Sequence, residues 1–362
     1  MSSRSVLVFP AGMPPSLAWA RRAAHEGLRI VGASSLACDP AQSSYREWVS
    51  LPWIGDRDFG NVLGHSLAEK HIDAVFTPHP VVWMKLRDLL PKVAPSARLE
   101  AELPLDAELA EYRAYRDIAA GFARDPMQPG GCGELAAPMT SVQLAALVRE
   151  FQLVPGQCDY SKLEALVAIF RSMPAGDVVE IGSFWGRSAV ALAFLAKHYR
   201  IGKLLCVDPW GAEDLLQNIP DVDSAFRDTP MEEVFDGFRV NLAPYAGVVN
   251  YCRARSDQAA FIYHSERCFT TDDFGWTAYR GEIALLHIDG NHAPRRVRED
   301  ICAWGGSVRA DGWIVFDDYR WPFGDGPRLI ADEFLTRIEA SVATAFVAGG
   351  ALFARIKNPL SC

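Results

Sequence analysis

Hydrophobic positions near the start of the chain fall into short apolar runs that alternate with segments of helical periodicity. The apolar runs predict strands, because each has the length of a buried strand and is bounded by Gly, Pro or polar residues. The predicted strands are 6–9, 28–33 and 73–77, and the predicted helices are 16–26, 59–70 and 81–90. Strands and helices that alternate in this order form a parallel sheet covered by helices. We therefore expect a small α/β domain here.

The alternation is interrupted between residues 93 and 155. This segment is rich in Pro and contains the glycines 130, 131 and 133. Two helical patches, 106–123 and 141–151, lie between these residues. Because Pro and Gly end regular elements, we predict a connecting segment with short helices.

After the interruption the alternation resumes and continues to the end of the chain. The predicted strands are 177–181, 203–207, 283–288 and 313–316, and the predicted helices are 162–172, 188–198 and 294–307. Two final apolar runs, 342–348 and 351–356, flank Gly349-Gly350 and predict an antiparallel hairpin. The predicted fold class is α/β. A Rossmann-like domain at 156–362, a parallel sheet closed by a C-terminal antiparallel hairpin, follows a small Rossmann-like α/β domain at 1–92.

The composition narrows the class of protein without changing this architecture. Of the 362 residues, 49% are hydrophobic and 22% are charged, which is typical of a globular protein. The formal net charge of −9 gives no general attraction to phosphate backbones, so we expect no nucleic-acid partner. We also expect no membrane span and no signal peptide. The eight Cys are scattered without a C-x-x-C pair, which favours reduced thiols and a cytoplasmic location.

The segment with the clearest chemical pattern is VVEIGSFWGRS, in which a strand ends at an acid, turns through glycines and opens a helix. Glu180, Gly182 and Gly186 form an E-x-G-x-x-x-G pattern. Glycines at such a turn let a ligand approach the backbone, and the helix N-terminus favours an anionic group. The next predicted strand ends at Asp208, which is placed to accept hydrogen bonds from ribose hydroxyls. The alternative is that both acids only shape the turns.

Three more acids follow two later strands. Asp289 ends one predicted strand, and Asp317 and Asp318 end the next. Neighbouring strand ends of a parallel sheet meet at one edge, where three carboxylates would repel each other without a cation or protons. Their hard oxygen ligands suit Mg²⁺ or a similar divalent ion. The alternative is that these acids form turns and are solvated.

The glycine turn and Asp208 resemble the class I S-adenosylmethionine-dependent methyltransferases, whose first motif has the same form. The resemblance implies S-adenosylmethionine as cofactor, with Gly182 and Gly186 facing its methionine part and Asp208 holding its ribose. It also implies that the loop with Ser256 and Asp257 borders the adenine. The expected cofactor-binding residues are Glu180, Gly182, Ser183, Gly186, Ser188, Asp208, Ser256 and Asp257.

A second resemblance rests on D-G-x-H, a helix with V-x-x-D-I-x-x-W, and a strand that ends in D-D. Together, over roughly residues 158–357, they resemble the metal-dependent sugar O-methyltransferases of the macrocin and mycinamicin type and cephalosporin-hydroxylase-like relatives. The resemblance implies that Asp289, Asp317 and Asp318 hold the metal and that His292 is the base, with Asp289 also catalytic. A base near neutral pH suits this reaction, because an unactivated alcohol is a poor nucleophile. His287, on the strand before these residues, is expected to be structural.

These resemblances predict a divalent-cation-assisted, S-adenosylmethionine-dependent O-methyltransferase that acts on a hydroxyl of a sugar or glycosylated small molecule. One alternative is a dinucleotide-dependent oxidoreductase, which would need a tighter glycine pattern and leaves the acids and His292 unused. Another is a non-catalytic assembly protein that retains a methyltransferase fold. The N-terminal part resembles the Rossmann-like domain that precedes ATP-grasp enzymes, and no activity follows from that likeness. A homo-oligomer is left open.

Two segments are candidates for the walls of a substrate site. Residues 209–245 form a long connection with Trp210, Phe226, Phe235 and Phe238, and residues 319–328 follow the D-D pair. Long insertions above a sheet edge often act as lids. The aromatic residues of the first segment are equally consistent with stacking on a sugar and with a small hydrophobic core of their own.

Overall fold

The computed structural model describes residues 4–124, 126–130, 135–217 and 219–360. The chain divides into two compact units, Met1–Ala114 and Tyr115–Cys362. The boundary falls inside the segment 93–155, of which residues 125 and 131–134 lie outside the described part. Each unit has its own sheet and its own core, and each is described separately.

The first unit contains a five-stranded parallel sheet with helices between its strands, as the sequence predicts. Its elements are β1 (Ser5–Val8), α1 (Pro14–His25), β2 (Arg29–Ser34), β3 (Glu47–Ser50), α2 (Phe59–Glu69), β4 (Ala74–Phe76), α3 (Pro80–Val93) and β5 (Arg98–Leu99). The strand order is β3-β2-β1-β4-β5. The sequence analysis missed β3 and β5, because these edge strands are short and only partly buried. The helix α4 (Pro104–Arg124) spans the boundary between the units.

The second unit is built around a seven-stranded sheet. Its helices and strands are, in chain order, α5 (Ser141–Leu153), α6 (Tyr160–Phe170), β6 (Asp177–Ile181), α7 (Arg187–Tyr199), β7 (Leu204–Val207), α8 (Pro220–Phe226), α9 (Met231–Leu242), β8 (Val249–Cys252), α10 (Ser256–Glu266), β9 (Cys268–Thr271), β10 (Gly275–Ala278), β11 (Ile283–Ile288), α11 (Pro294–Trp304), β12 (Val308–Phe316), α12 (Gly326–Arg337), β13 (Val342–Ala348) and β14 (Ala351–Ile356). The strand order is β13-β14-β12-β11-β6-β7-β8, and β14 runs antiparallel to both its neighbours. The predicted fold class, including the C-terminal hairpin, is confirmed.

Both faces of this sheet are covered, which explains why most residues of its central strands are apolar. Val178 and Leu285 point into a core shared with α5, α6, α7 and α9, and their neighbours Val179 and Leu286 point into a second core shared with α10, α11 and α12. A strand buried on both faces has no polar alternation. Mostly apolar runs therefore identified β6 and β11 correctly, although β6 includes the buried Asp177 and Glu180 and β11 the buried His287.

The register of the parallel strands brings four chain segments to one edge. Ile288 pairs with Ile181 on one side and with Phe316 on the other, and Ile181 pairs with Val207. The residues that follow these strands are Gly182, Asp208, Asp289 and Asp317. In a parallel sheet, this carboxyl edge is where ligands bind.

The long connection after β7 is largely helical, and most of its aromatic residues are core residues. Trp210 and Phe238 are buried, and their ring centroids lie 4.7 Å apart. Phe235 joins them, with its centroid 4.8 Å from that of Trp210. Phe226, at the end of α8, is only partly buried and lines the cavity described below. Of the two interpretations of this segment, the hydrophobic core applies to Trp210, Phe235 and Phe238, three of the four aromatic residues considered above.

Two further findings concern the described residues alone. None of the helices found there is long and apolar enough to cross a membrane. The cysteines at positions 38, 158, 206, 252, 268 and 302 are free thiols. The other two, at positions 132 and 362, lie outside the described residues.

Candidate active site

A cavity of about 1520 Å³ opens at the carboxyl edge of the seven-stranded sheet. Ten of the residues predicted from the sequence line it: Gly182, Ser183, Ser188, Asp208, Ser256, Asp257, Asp289, His292, Asp317 and Asp318. Two predicted cofactor-binding residues, Glu180 and Gly186, are not among the lining residues. The structure thus brings the glycine turn and the acid cluster into one cavity.

The two glycines of the turn are required by close approaches within the protein. Gly182 has φ +84°, and a Cβ there would lie 2.1 Å from the carbonyl oxygen of Asp289. Gly186 has φ +86°, and a Cβ there would lie 2.6 Å from Leu242 Cδ2. Both the left-handed backbone and the lack of space favour glycine. Gly182 therefore lets the end of β6 lie against the segment that carries Asp289.

Glu180 lies below the turn and is completely buried. Its carboxylate accepts a hydrogen bond of 2.6 Å from Ser183 Oγ, and its other oxygen lies 3.1 Å from His287 Nδ1. Glu180 and His287 are cross-strand neighbours on β6 and β11. The acid of the motif therefore positions the turn and a histidine.

Asp208 connects the turn to the end of β7. Its Oδ2 accepts hydrogen bonds of 3.0 Å from the N–H groups of Ser183 and Phe184, and its Oδ1 accepts one of 2.7 Å from the N–H of Trp210. Burial raises the pKa of Asp208 to about 6, and the three N–H donors oppose that rise. Asp208 thus holds the glycine turn in place, while its predicted contact with a ribose stays a prediction.

A buried acid that the sequence analysis did not select lies beside Ser256. Burial raises the pKa of Asp300 to about 7, although a hydrogen bond with the Ser256 side chain opposes the rise. Ser256 Oγ in turn accepts a hydrogen bond of 3.0 Å from Trp304 Nε1. Asp300 lines the cavity together with Ser256 and the exposed Asp257. Its position in the V-x-x-D-I-x-x-W helix was the available signal.

Asp300 gives the protein a pH-dependent stability that Asp300→Asn should remove. Because its pKa is raised to about 7 in the folded protein, the native state binds a proton that the unfolded chain releases, and stability is lost as the pH rises through that range. Between pH 5 and pH 8, we expect the free energy of unfolding of the wild type to fall by about 2 kcal/mol more than that of the variant. Denaturant unfolding at both pH values measures this difference.

Asp257→Asn, the same change at an exposed neighbour, should behave like the wild type. Equal pH dependence in Asp300→Asn and the wild type would contradict the assignment.

The acid cluster lies beside the turn, at the ends of β11 and β12. Burial raises the pKa of Asp289 well above its usual value, and the charge of Asp317 adds to that effect. Burial alone would also raise the pKa of Asp317, but the Lys162 ammonium and His287 outweigh it and hold this pKa well below the usual range. The two carboxyls therefore differ in how readily they ionise.

Lys162 is a member of this cluster that the sequence analysis missed. It lies in the first turn of α6 and is 1% exposed. Its ammonium contacts Asp317 and lies 3.5 Å from Asp289 Oδ2. The available signal was its place on the helix, in line with the buried residues Leu166 and Ile169, where a lysine needs a partner.

Two histidines complete the cluster. His287 is fully buried, and its Nε2 lies 3.7 Å from Asp317 Oδ2 and 3.9 Å from Asp289 Oδ2, without a hydrogen-bond partner among the described residues. The sequence analysis assigned it a structural role and did not place it against the acids. His292 Nε2 lies 2.8 Å from Asp318 Oδ2, and its ring meets the edge of Trp321 at a centroid distance of 4.2 Å.

The cluster offers two groups of ligand atoms with a spacing that suits a metal ion. We name His287, Asp289 and Asp317 the inner position, and Asp289, His292 and Asp318 the outer position; within each, the atoms lie within 4.8 Å of one another. When all three carboxyls are ionised, the ammonium of Lys162 leaves two negative charges on the cluster, which one divalent cation would neutralise. Carboxylate and imidazole donors fit a divalent ion of the Mg²⁺ or Mn²⁺ kind.

One comparison with known proteins covers the residues of this cavity. Residues 179–319, which include the glycine turn, Asp208 and the acid cluster, match a family model described as a methyltransferase domain. The matched residues all lie in the second unit and make up less than half of the chain. The match supports S-adenosylmethionine as the methyl donor, as the first resemblance implies. No curated protein matches the sequence.

Among solved structures, the chain is similar to the O-methyltransferase NovP, with 13% identity, a TM-score of 0.39, and coverage of 69% of this chain and 99% of that one. It is also similar to the calicheamicin methyltransferase CalS11, with 14% identity, a TM-score of 0.41, and coverage of 69% of this chain and 92% of that one. A third, the mycinamycin-pathway methyltransferase MycE in complex with Mg, has 15% identity and a TM-score of 0.30, over 51% of this chain and 46% of that one.

Proposed function

We propose that the protein is an S-adenosylmethionine-dependent O-methyltransferase, assisted by a divalent cation, that acts on a hydroxyl of a sugar or glycosylated small molecule. One observation carries the proposal. The glycine turn with Asp208 and the acid cluster with His292 line the same cavity, on strands that are in register. A methyl donor and an acceptor hydroxyl need such adjacent positions, because methyl transfer is an in-line displacement.

The donor side of the cavity offers a pre-formed binding surface. S-adenosylmethionine supplies an electrophilic methyl group on a sulfonium. Asp208 fixes the backbone of Ser183 and Phe184 before any ligand arrives, so little entropy is lost at the turn on binding. Ser256 and Asp300 offer hydrogen-bonding groups further along the same cavity. These residues bind and orient the donor in our proposal.

The acceptor side offers a proton acceptor. A divalent cation held by Asp289, Asp317 and Asp318 would lower the pKa of the acceptor hydroxyl. With a proton on Nε2, His292 donates to Asp318 and leaves Nδ1 as its acceptor nitrogen; Nδ1 has no partner within the described part of the chain. His292 Nδ1 would take the hydroxyl proton, and the Asp318 carboxylate would stabilise the imidazolium that forms.

The size and walls of the cavity support a glycosylated acceptor. Its volume of about 1520 Å³ exceeds the roughly 300–1,000 Å³ typical of a pocket for one small ligand. Trp321 and Phe323 line it beside His292, with their centroids 5.4 Å apart, and Phe226 lines it as well. Aromatic side chains offer flat apolar surfaces against which the C–H groups of a sugar can pack. The acceptor would thus lie between these rings and the acid cluster.

A calorimetric titration tests the donor site. We expect S-adenosylhomocysteine to bind the wild-type protein and NAD⁺ not to bind. Asp208→Asn should weaken S-adenosylhomocysteine binding by about tenfold or more, because an amide cannot accept all three backbone N–H groups. Asp228→Asn makes the same change at an exposed residue outside the cavity and should leave the affinity unchanged. Binding of NAD⁺ without S-adenosylhomocysteine would instead support the oxidoreductase.

A screen of hydroxylated sugars and glycosides, with labelled S-adenosylmethionine and with Mg²⁺ or Mn²⁺, then tests the acceptor class. Transfer of the label that stops on chelation supports the full proposal. Transfer that is unaffected by chelation would remove the cation from it. The cytoplasmic location stays a prediction, and a homo-oligomer stays an open alternative.

A further inference from the structure

The buried ammonium of Lys162 contacts two of the three residues that form the inner position. Lys162 Nζ and His287 Nε2 approach the same two oxygens, Oδ2 of Asp289 and Oδ2 of Asp317. The same three residues, His287, Asp289 and Asp317, form the inner position. Because Lys162 is 1% exposed, moving its ammonium away from these acids would leave buried charges unpaired, which is costly.

The outer position has no such internal cation. It shares Asp289 with the inner position and adds His292 and Asp318, which are partly exposed and line the cavity. Among the described residues, no Lys or Arg forms an ion pair with Asp318. The Asp318 carboxylate lies 2.8 Å from His292 Nε2 instead. The two positions are therefore adjacent, and they differ in whether the chain itself supplies a positive charge.

We propose that Lys162 is a built-in cation that fills the inner position, confines an added divalent ion to the two carboxylates of the outer position, Asp289 and Asp318, and weakens the binding of that ion. This inference rests on the cation site of the proposed function, from which it removes Asp317 as a ligand. Lys162 would act as a positioning residue, since it reaches the reaction only through Asp289 and Asp317.

The electrostatic reason is direct. A positive charge beside a shared ligand repels a divalent ion bound to the same carboxylate, and at a buried site this repulsion is poorly screened. Lys162 also neutralises one of the three carboxylates, so the cluster needs a single divalent ion for balance. Without Lys162, the inner position would offer two carboxylates and a buried imidazole to a second ion.

Metal binding by variants of Lys162 tests the inference without any acceptor. Mn²⁺ is titrated calorimetrically into the full-length protein at pH 8, in the absence of S-adenosylmethionine. Lys162→Gln has a similar length, keeps a hydrogen-bond donor for Asp317 and loses the charge. We expect it to bind Mn²⁺ at least about tenfold more tightly than the wild type. Lys162→Arg keeps the charge and should bind no more tightly than the wild type. Lys203→Gln, the same change at an exposed lysine outside the cavity, is the matched control.

The outcomes separate this inference from the proposed function. If wild type and Lys162→Gln bind Mn²⁺ equally, the inference is wrong and the cation site stands. If only Lys162→Gln binds, Lys162 excludes the ion, which supports the inference and removes the cation from the proposed function. If neither binds, both fail.

A second pair of variants covers the case in which Lys162→Gln does not fold. Asp317→Asn is compared with a double variant that also carries Lys162→Gln. The double variant removes both charges of the buried pair, so neither charge is left without its partner. The double variant should bind Mn²⁺ at least about tenfold more tightly than Asp317→Asn, because the ammonium beside Asp289 is gone. Equal affinities would overturn the inference.

Discussion

Replacing His292 with Ala is expected to lower the turnover of methyl transfer by about 10²- to 10⁴-fold. His292 is the histidine that lines the cavity and pairs with Asp318, at 2.8 Å, while its Nδ1 is without a partner among the described residues. Removing the imidazole leaves the acceptor hydroxyl without this proton acceptor. The measurement is the rate of label transfer from S-adenosylmethionine to an acceptor found in the screen.

Two controls make this result specific. His264→Ala makes the same change at an exposed histidine that does not line the cavity, and its turnover should stay within about threefold of the wild type. The affinity of His292→Ala for S-adenosylhomocysteine should be unchanged, because His292 belongs to the acceptor side. If His292→Ala turned over as fast as His264→Ala, another group would be the base.

Gly182→Ala is expected to cost about 4 kcal/mol or more of folding stability. The new Cβ would lie 2.1 Å from the carbonyl oxygen of Asp289 and 2.7 Å from Gly290 Cα. Both contacts are with backbone, so the strand ends must move apart, and φ +84° adds strain for any residue with a Cβ. The free energy of unfolding by denaturant measures the loss, and a variant that does not accumulate as folded protein meets the same expectation.

Gly247→Ala separates the two causes. Gly247 has φ +86°, almost the same as Gly182, but a Cβ there would have no atom within 4 Å. We therefore expect Gly247→Ala to cost only the backbone strain, about 1–2 kcal/mol. Similar losses of folding stability at both glycines would show that the close approach to Asp289 does not contribute to the cost of Gly182→Ala.

The elements that the sequence predicted well have regular patterns of their own. Strands β6 and β11 are short, mostly apolar runs, and β13 and β14 flank a Gly-Gly turn. The missed elements lack such patterns: β5 has two residues, and β3 is an edge strand. The antiparallel pair β9–β10 and the helix α12 were also missed, although Pro327 in the first turn of α12 was an available signal.

The residues of the candidate site likewise divide into those that the sequence pattern predicts and those that it does not. The glycine turn, Asp208 and the three acids could be selected because each follows a predicted strand, and strand ends of a parallel sheet share an edge. Lys162 could not be selected in this way, because it lies on a helix that precedes the sheet. Its contact with Asp317 depends on how α6 packs against the sheet edge.

The sequence by itself determined the α/β class, the order of the main strands and the residue types at the sheet edge, because hydrophobic periodicity and turn residues act locally along the chain. Only the tertiary structure decided what each side chain does there. It placed Glu180 beneath the turn, turned His287 towards the acids, and put Trp210 into the core. These outcomes depend on register, helix packing and burial, which join residues far apart in the chain and leave no periodic signal in it.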